Sequence, residues 1–210
     1  MEYEVRYYFP TENLESIIKK IKNINGLSMQ SRCYEKTEQY DHPCDSMSFY
    51  TKEVDGRFRV RITKNEISSK CKISWKRRLP STTENEVNEE EEIELNINYS
   101  EYDNLKFLIN NVLKMKSIES YERYRTIFTN NEIEIAVDEY PFGIALEIEN
   151  KSDYIDPKEI VKKWVNNLGL DIHKSYRLSW DDKYSELCKA QNVKRYKHVR
   201  FDLPMPKVSE

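Results

Sequence analysis

The sequence lacks the residue spacings from which zinc sites are built. Its 210 residues include three histidines and four cysteines, and no two of the cysteines have C-x-x-C spacing. Zinc sites use closely spaced Cys and His ligands, so a zinc site is not expected. The cysteines, which are Cys33, Cys44, Cys71 and Cys188, are interpreted as reduced thiols of a cytosolic protein.

The chain also lacks long apolar runs and a strong excess of charge of either sign. No stretch approaches the roughly 18–20 apolar residues of a membrane-spanning helix, and the N-terminus has no apolar signal-peptide core. The 34 Lys and Arg nearly balance the 37 Asp and Glu, which leaves a net charge of -3. This balance argues against a general nucleic-acid-binding surface. We expect a cytoplasmic protein that binds neither membranes nor nucleic acids.

Charged and aromatic residues, by contrast, are abundant. Charged residues make up 34% of the chain and aromatic residues 12%, whereas an average protein has about a quarter of its residues charged. So many aromatic residues exclude a disordered chain, and the length suits one domain with a terminal extension. We expect a folded domain over residues 1–190 and a basic C-terminal tail over residues 191–210.

Alternation of polar and apolar residues predicts that most of the domain is β-strand. Strands are predicted at residues 2–9, 27–41, 46–52, 57–62, 70–78, 92–97, 123–125, 133–138 and 146–149. A hairpin turn is predicted at Asp55-Gly56, and a polar loop at residues 80–91. Apolar residues at helical spacing predict helices that begin at Thr11, at the capping box Ser100 to Asp103, and at Asp156. A fourth helix is predicted over residues 176–190.

The polar positions of these strands are almost all charged, and each strand carries mainly one sign. The acidic strands carry Glu2 and Glu4, Glu92 and Glu94, Glu134 and Asp138, and Glu147 and Glu149. The basic strands carry Arg57, Arg59 and Arg61, then Lys72, Lys76 and Arg78, then Arg123 and Arg125, with Arg6 added from the first strand. A solubilising face would mix both signs with neutral polar residues, and like charges two residues apart repel each other.

Such clusters are stable when a ligand lies between the like charges. Clustered carboxylates bind hard cations such as Mg²⁺ or Mn²⁺, and clustered Arg and Lys bind phosphate oxygens. About eight strands can close into a barrel, and alternation then places one whole set of residues inside. We therefore predict an α+β fold, in which a closed antiparallel eight-stranded β-barrel has a charged lumen and helices packed outside.

The order of these motifs over residues 1–188 resembles that of the CYTH, or triphosphate tunnel metalloenzyme, superfamily. The Glu-x-Glu-x-Lys motif of its first strand is similar to Glu2-Tyr3-Glu4-Val5-Arg6, with Arg in place of Lys. Further similar motifs are Arg59-Val60-Arg61, Lys72 to Lys76, Glu92-Ile93-Glu94, Arg123-Tyr124-Arg125, Asp138, Gly143, Glu147-Ile148-Glu149, and Ser175-Tyr176 with Lys174 before it. Because an arginine stays protonated, Arg6 can bind a phosphate but cannot act as a base.

The resemblance implies a hydrolase, a triphosphatase that uses Mg²⁺ or Mn²⁺ as its cofactor. The catalytic candidates are Glu2, Glu4, Arg6, Glu147 and Glu149. The substrate-binding candidates are Arg57, Arg59, Arg61, Lys72, Lys76, Arg78, Arg123, Arg125 and Lys174, of which Arg57 and Arg78, at strand ends, are expected to face solvent. The metal-binding candidates are Glu2, Glu4, Glu92, Glu94, Glu134, Asp138, Glu147 and Glu149.

The sequence leaves the substrate and the reaction type open. Inorganic tripolyphosphate, thiamine triphosphate and nucleoside triphosphates all fit a hydrolase. The alternatives are a class IV-type adenylyl cyclase, an RNA 5′-triphosphatase and a polyphosphate-binding module without catalysis. Hydrolysis is favoured because it needs only phosphate, metal and water, whereas cyclisation also needs an adenine pocket. The expected partner is a small-molecule triphosphate, and a homodimer is left open.

Overall fold

The computed structural model of the protein describes residues 2–50, 55–79, 87–152 and 156–209. The strands are β1 (Glu2–Phe9), β2 (Ser28–Met29), β3 (Cys33–Asp41), β4 (Asp55–Lys64), β5 (Ser69–Arg78), β6 (Asn88–Ile97), β7 (Lys116–Thr129), β8 (Ile133–Tyr140), β9 (Gly143–Asn150) and β10 (His198–Val199). The α-helices are α1 (Leu14–Lys22), α2 (Tyr102–Phe107), α3 (Pro157–Asn167) and α4 (Trp180–Ala190).

Eight of the described strands close into an antiparallel barrel. Their order is β7-β3-β4-β5-β6-β1-β9-β8, and β8 pairs with β7 to complete the circuit. The two-residue strands β2 and β10 both add to β7, β2 antiparallel and β10 parallel. Because alternate side chains of each strand point to opposite faces, the charged residues lie inside the barrel and the apolar residues outside. The predicted fold class is confirmed.

The largest hydrophobic core therefore lies between the barrel exterior and the helices. Its barrel side comes from β1, β8 and β9, whose outward residues include the fully buried Ile135 and Ile148. Helix α3 covers them with Ile160, Val161, Trp164, Val165 and Leu168. This helix begins as predicted, because the Asp156 carboxylate accepts a hydrogen bond from the Lys158 backbone N–H at 2.9 Å. Each fully buried aliphatic side chain contributes roughly 1.5–3 kcal/mol.

A second cluster joins α4 and the C-terminal segment to the barrel. Tyr184 of α4 is fully buried against Phe142, and Val199 of β10 is fully buried beside them. Val208 packs into the same cluster, and its backbone N–H donates to the Phe142 carbonyl at 2.8 Å. The described part of residues 191–210 thus contributes apolar side chains to a core of the domain.

The helices cover only part of the apolar exterior. Helix α2 and the π-helical turn after it, Leu108–Val112, pack over Val60 and Cys71 of β4 and β5. Ile93 and Leu95, on the outer face of β6, remain 57% and 58% exposed. No helix among the described residues is long and apolar enough to cross a membrane.

Several predicted boundaries differ from the structure. In place of a strand at residues 46–50 the chain forms a 3₁₀ turn, Asp45–Met47, and a single bridge from Tyr50 to Asp55. Asp55 and Gly56 begin β4 and do not form a turn. A Cβ at Gly56 would lie 2.5 Å from the Phe49 carbonyl oxygen, so the close approach of these two backbones requires glycine.

The remaining differences concern helix starts and the predicted loop. Thr11 begins a 3₁₀ turn before α1 and provides no side-chain cap. Asn98 accepts the capping hydrogen bond from the Ser100 backbone, so the predicted Ser100 box is not formed. Strand β6 begins at Asn88, inside the predicted loop. Residues 51–52 of the predicted strand and residues 80–86 of the predicted loop lie outside the described residues.

Candidate active site

The barrel lumen holds a cavity of about 260 Å³, and charged side chains line nearly all of it. A cavity of this size can hold a small molecule or the end of a polymeric ligand. Most of the predicted site residues meet here, namely Glu2, Glu4, Arg6, Arg57, Arg59, Arg61, Lys72, Lys76, Arg78, Glu92, Glu94, Arg123, Arg125, Glu134, Glu147 and Glu149. The alternation of the sequence therefore identified the inward face correctly for the strands that carry these residues.

Two predicted site residues do not line the cavity. Asp138 is completely buried behind it, where its carboxylate accepts hydrogen bonds from Arg123 and Arg125. It orients these two guanidinium groups and offers no oxygen to the lumen. Lys174 ends a short 3₁₀ turn and is exposed outside the barrel. The segment that follows Lys174, and not Lys174 itself, reaches the lumen.

The segment from Tyr176 to Trp180 crosses one mouth of the barrel. The Tyr176 backbone N–H donates to the Arg6 carbonyl of β1 at 2.6 Å, and the Asn88 side chain of β6 donates to the Arg177 carbonyl at 3.2 Å. The Trp180 ring then packs on Tyr121 of β7, with ring centroids 4.5 Å apart. Because β6 and β7 lie on opposite sides of the eight-strand circuit, the segment covers this mouth.

This cover corrects the prediction that Arg57 and Arg78 face solvent. Both lie at the mouth that the segment crosses, since β4 begins and β5 ends where β6 begins. Arg57 is only 5% exposed and forms an ion pair with Asp55 at 2.9 Å. The Arg78 side chain is 17% exposed and lies 3.5 Å from Glu90. Both therefore belong to the lining of the lumen.

Lys76 lies at the centre of the acidic part of the lumen. Its ammonium nitrogen is 2.8 Å from Glu2, 3.5 Å from Glu4, 2.7 Å from Glu90 and 3.6 Å from Glu92. Burial alone would favour the neutral amine, but these carboxylates outweigh it and raise the pKa of Lys76. The ammonium therefore stays charged at neutral pH and partly neutralises the surrounding acids.

Two carboxylates of this acidic part remain without full compensation. Burial, offset in part by Lys76 and reinforced by Glu92, raises the pKa of Glu2 to about 7. Burial and the nearby charge of Glu2 raise the pKa of Glu149 well above its ordinary value. No described residue donates a hydrogen bond or forms an ion pair with the Glu149 carboxylate, and Glu134 is directly opposite it in the β8–β9 pairing. Negative charge is therefore in excess in the part of the lumen around Glu2, Glu134 and Glu149.

Ion pairs between β1, β7 and β9 form the middle of the lumen. Arg6 Nε donates to Glu147 at 2.8 Å, and Arg6 also contacts Glu4 at 3.1 Å. The other oxygen of Glu147 accepts from Arg125 at 2.6 Å. Burial opposes ionisation of Glu147, but Arg6 and Arg125 outweigh it and hold its pKa well below the ordinary range. The pKa of Glu4 is lowered in the same way, because Lys76 and Arg6 outweigh burial.

Positive charge is in excess along β4. Arg59 forms no ion pair with any described residue, and its Nε is buried without a hydrogen-bond partner. Burial, and then repulsion from Arg57 and Arg61, lowers the pKa of Arg59. For Arg61 the nearest carboxylate oxygen belongs to Glu35, at 3.8 Å. A buried guanidinium without a counter-charge is costly, so this wall favours an anionic ligand.

Sequence reasoning missed seven residues that form or support this site. Glu90, Tyr121, Tyr140, Ser179 and Trp180 line the cavity, and Glu35 and Thr37 of β3 hold Arg123 and Arg61 through hydrogen bonds. Glu35 and Thr37 alternate at the spacing that identified the other strands, so that signal was available. Ser179 and Trp180 come from outside the barrel, and no local pattern marks them.

The donor types of the acidic part fit a hard divalent cation. Glu2, Glu134 and Glu149 offer only carboxylate oxygens, the ligands that Mg²⁺ and Mn²⁺ prefer. Burial, reinforced by neighbouring carboxylates, raises the pKa of both Glu2 and Glu149, and a bound cation would favour their ionised forms. Within residues 2–50, 55–79, 87–152 and 156–209, however, no three Asp, Glu, His or Cys side chains are already arranged around one point as metal ligands.

Comparison with known proteins gives the fold class. No family model and no curated protein matches the chain, but solved structures do. The PH1012 protein from Pyrococcus horikoshii OT3 has a TM-score of 0.64 and 21% sequence identity over 87% of this chain and 98% of that chain. A proposed adenylate cyclase from Vibrio parahaemolyticus has a TM-score of 0.63 and 17% identity over 87% of this chain and 98% of that chain.

A third structure connects the fold with a reaction. HpAC1 from Hippeastrum, a proposed adenylyl cyclase that is described as having a dominant triphosphatase activity, has a TM-score of 0.56 and 15% identity over 93% of this chain and 98% of that chain. At these identities the likeness concerns the fold. The chain shares its fold with these structures, and its closed β-barrel with a charged lumen is the fold that its motifs predicted.

Proposed function

We propose that the protein is a divalent-metal-dependent triphosphatase that hydrolyses a small-molecule triphosphate in the barrel lumen. The observation that carries this proposal is the separation of uncompensated charge within one cavity. Arg59 lacks a carboxylate partner among the described residues, whereas burial, reinforced by neighbouring carboxylates, raises the pKa of Glu2 and Glu149. A phosphate chain bound beside Arg59 and a cation bound beside Glu2 and Glu149 would together neutralise both parts of the cavity.

The basic side chains would bind the phosphate chain. Arg59 and Arg61 line the cavity from β4, and Arg123 and Arg125 line it from β7. Asp138 and Glu35 fix the guanidinium planes of the β7 pair through hydrogen bonds of 2.6–2.8 Å. Guanidinium groups held in place in this way stabilise the negative charge of a transferring phosphoryl group without reorganising during the reaction.

Glu2, Glu134 and Glu149 would hold the Mg²⁺ or Mn²⁺ ion. When bound, such an ion polarises phosphate oxygens and lowers the pKa of a bound water. Glu4 and Glu147 have a different role, because both are engaged by Arg6. They keep Arg6 charged and oriented, since Glu147 and then Glu4 outweigh burial and raise its pKa well above the ordinary value. Arg6 would therefore bind a phosphate oxygen and take no part in proton transfer.

A panel of substrates tests the proposal and distinguishes it from cyclisation. Tripolyphosphate, thiamine triphosphate, ATP and a 5′-triphosphate RNA would each be incubated with Mg²⁺ or Mn²⁺, and the products identified. We expect orthophosphate from at least one of them. Cyclic AMP and pyrophosphate from ATP would establish a cyclase instead, and the absence of turnover with every substrate and both metals would overturn the hydrolase.

A variant distinguishes an enzyme from a binding module. We expect Glu149→Gln to lose turnover while it still binds tripolyphosphate, because the carboxylate is proposed to hold metal and not phosphate. The matched control is Glu91→Gln, whose side chain pairs with Arg77 outside the lumen and is 42% exposed. The control should keep the wild-type rate.

A further inference from the structure

Tyr121 is a buried phenol in the basic part of the lumen. It lines the cavity and is only 3% exposed. Its ring centroid lies 4.5 Å from that of Trp180 and 5.5 Å from that of Tyr140. On the neighbouring strand it pairs with Thr37, whose hydroxyl accepts a hydrogen bond from Arg61 at 3.2 Å. None of the charged motifs that define the fold includes this residue.

The charged groups that face Tyr121 from its closest neighbours are all positive. Arg59 and Arg61 act on it from β4, and Arg123 acts from β7, with its guanidinium carbon 5.8 Å from the Tyr121 ring centroid. Arg59 has no carboxylate partner among the described residues, and Arg61 has one only at 3.8 Å. Arg123 is paired with Glu35 and Asp138, but Arg59 and Arg61 carry positive charge that no carboxylate within ion-pair distance fully neutralises.

The other titratable groups around Tyr121 are committed elsewhere. Glu35 of β3 is bound to Arg123, and Glu119, two residues earlier on β7, is bound to Arg195. His198 of β10 hydrogen-bonds with Ser120, whose side chain points to the opposite face of β7. Tyr140 of β8 accepts a hydrogen bond from Arg123 at 3.2 Å, and Trp180 of α4 carries no charge. Glu92 of β6 also acts on Arg59 and Arg61, and Glu35 acts on Arg61, but the effect of Tyr121 on Arg59 exceeds that of Glu92. Tyr121 can thus add negative charge beside both arginines.

We propose that the Tyr121 phenolate is the counter-anion of the Arg59, Arg61 and Arg123 cluster when no phosphate occupies the lumen, and that it takes up one proton when a phosphate chain binds. This inference rests on the proposed function, because the same arginines are assigned to the phosphates. The proton comes from solvent and adds to the phenolate oxygen, which yields a neutral phenol. No bond to phosphorus forms or breaks in this step.

The electrostatics of the ligand-free lumen support this exchange. Burial alone would raise the pKa of Tyr121, but Arg123, and then Arg61 and Arg59, outweigh it and lower the pKa to about 7. The pKa of Tyr140, by contrast, is raised well above its ordinary value, mainly by burial. A bound phosphate adds negative charge beside the arginines, so the pKa of Tyr121 must rise again. The neutral phenol can then donate a hydrogen bond to a phosphate oxygen.

The direction of the pH dependence follows from this linkage. Well below pH 7 Tyr121 is already protonated, and phosphate binds without proton uptake. Above pH 7 each binding event must add a proton, so the affinity falls by up to about tenfold per pH unit. Glu2 and Glu149 lie near the proposed metal position, and their own protonation would obscure the effect in the presence of metal. The experiment is therefore carried out without metal.

Tyrosinate absorbance in the ultraviolet provides a direct readout. Without ligand, the wild type should show about one tyrosine per chain titrating near pH 7, and Tyr121→Phe should not show it. Addition of tripolyphosphate at pH 8 should decrease the tyrosinate absorbance of the wild type and leave that of Tyr121→Phe unchanged. The matched control, Tyr140→Phe, removes the other tyrosine of the lumen and should keep the wild-type decrease.

The possible results separate this inference from the proposed function. A wild type without a tyrosine that titrates near pH 7 overturns the counter-anion. Binding of tripolyphosphate, seen by calorimetry, without a decrease in absorbance overturns the proton uptake and leaves the triphosphatase intact. Failure of the wild type to bind tripolyphosphate at any pH, both without metal and with Mg²⁺ or Mn²⁺, overturns both. Circular dichroism confirms that each variant is folded, and Tyr121→Trp provides a second substitution if phenylalanine is not tolerated.

Discussion

Arg125 binds Asp138 through two hydrogen bonds of 2.6 Å, from Nε to one carboxylate oxygen and from a terminal nitrogen to the other. Asp138 is completely buried, and it also accepts a bond of 2.7 Å from Arg123. A buried carboxylate shared by two guanidinium groups fixes both of them, so the geometry of the β7 arginines depends on a residue that does not line the cavity.

Asp138→Asn is expected to destabilise the protein strongly. The change leaves two buried guanidinium groups with reduced compensation, and breaking a buried ion pair typically costs about 3–5 kcal/mol. Urea denaturation measures the loss. Glu139→Gln is the matched control, because Glu139 binds the largely exposed Arg32 on the barrel exterior, and such a pair contributes about 1 kcal/mol or less. Equal losses in the two variants would contradict the role assigned to Asp138.

Arg59→Ala should weaken phosphate binding without weakening the fold. Arg59 forms no ion pair with a carboxylate of the described residues, and burial together with repulsion from Arg57 and Arg61 outweighs its attraction to Tyr121. We expect the dissociation constant for tripolyphosphate to rise at least about tenfold, which corresponds to about 1.4 kcal/mol. The melting temperature should stay equal or increase.

Arg77→Ala is the control for this experiment. Arg77 lies on the outer face of β5 and pairs with Glu91, both side chains being about 40% exposed. Its removal should leave the dissociation constant unchanged. If Arg59→Ala lowers the melting temperature but binds tripolyphosphate like the wild type, then Arg59 is a structural residue and not a phosphate ligand.

The stability of the ligand-free protein should depend on pH through Glu2. The folded protein raises the pKa of Glu2 from 4.5 to about 7, so the protonated carboxyl group stabilises the folded state below pH 4.5. This stabilisation is lost as the pH rises towards 7. The unfolding free energy of the wild type should therefore fall by on the order of 2 kcal/mol more than that of Glu2→Gln between pH 4.5 and 7.5. Parallel pH profiles of the two proteins would contradict the raised pKa of Glu2.

Lys76→Met should be far more damaging than Lys72→Met. Lys76 lies within 3.6 Å of four carboxylates, and its removal leaves them facing one another in a buried cavity. We expect a loss of about 3–5 kcal/mol, larger at pH 8 than at pH 5 because protonation relieves the repulsion. Lys72 pairs only with Glu94, and both side chains are more than a third exposed, so its loss should cost under about 1 kcal/mol. Similar unfolding curves for the two variants would argue against a central role of Lys76.

The strand alternation predicted the barrel and the inward face of most strands, because the period of a strand decides which face each side chain occupies. Glu147 and Arg6 were identified in this way, and the structure joins them at 2.7 Å. The prediction could not decide which of the charges neutralise one another. That depends on the register between strands distant in sequence, as for Lys76 and its partners on β1 and β6.

The residues that reach the lumen from outside the barrel could not be predicted from the sequence pattern. Trp180 reaches the lumen only because the segment before it crosses the mouth of the barrel. This path is fixed by one backbone hydrogen bond to Arg6 of β1 and by one from the Asn88 side chain of β6. The same segment buries Arg57, whose position near a strand end suggested exposure. Asp138 was predicted correctly as an inward-facing acid, but its complete burial follows from two arginines whose side chains cover it.

The most direct test of the account is a crystal structure of Glu149→Gln with tripolyphosphate and Mn²⁺, in which the anomalous signal locates the metal. The account predicts phosphate oxygens within hydrogen-bond distance of Arg59, Arg61 and Arg123. It also predicts a manganese peak between the phosphate chain and Glu2 or Glu134. Tripolyphosphate bound only on the outside of the barrel, with the lumen ion pairs of Lys76 and Arg6 unchanged, would contradict it.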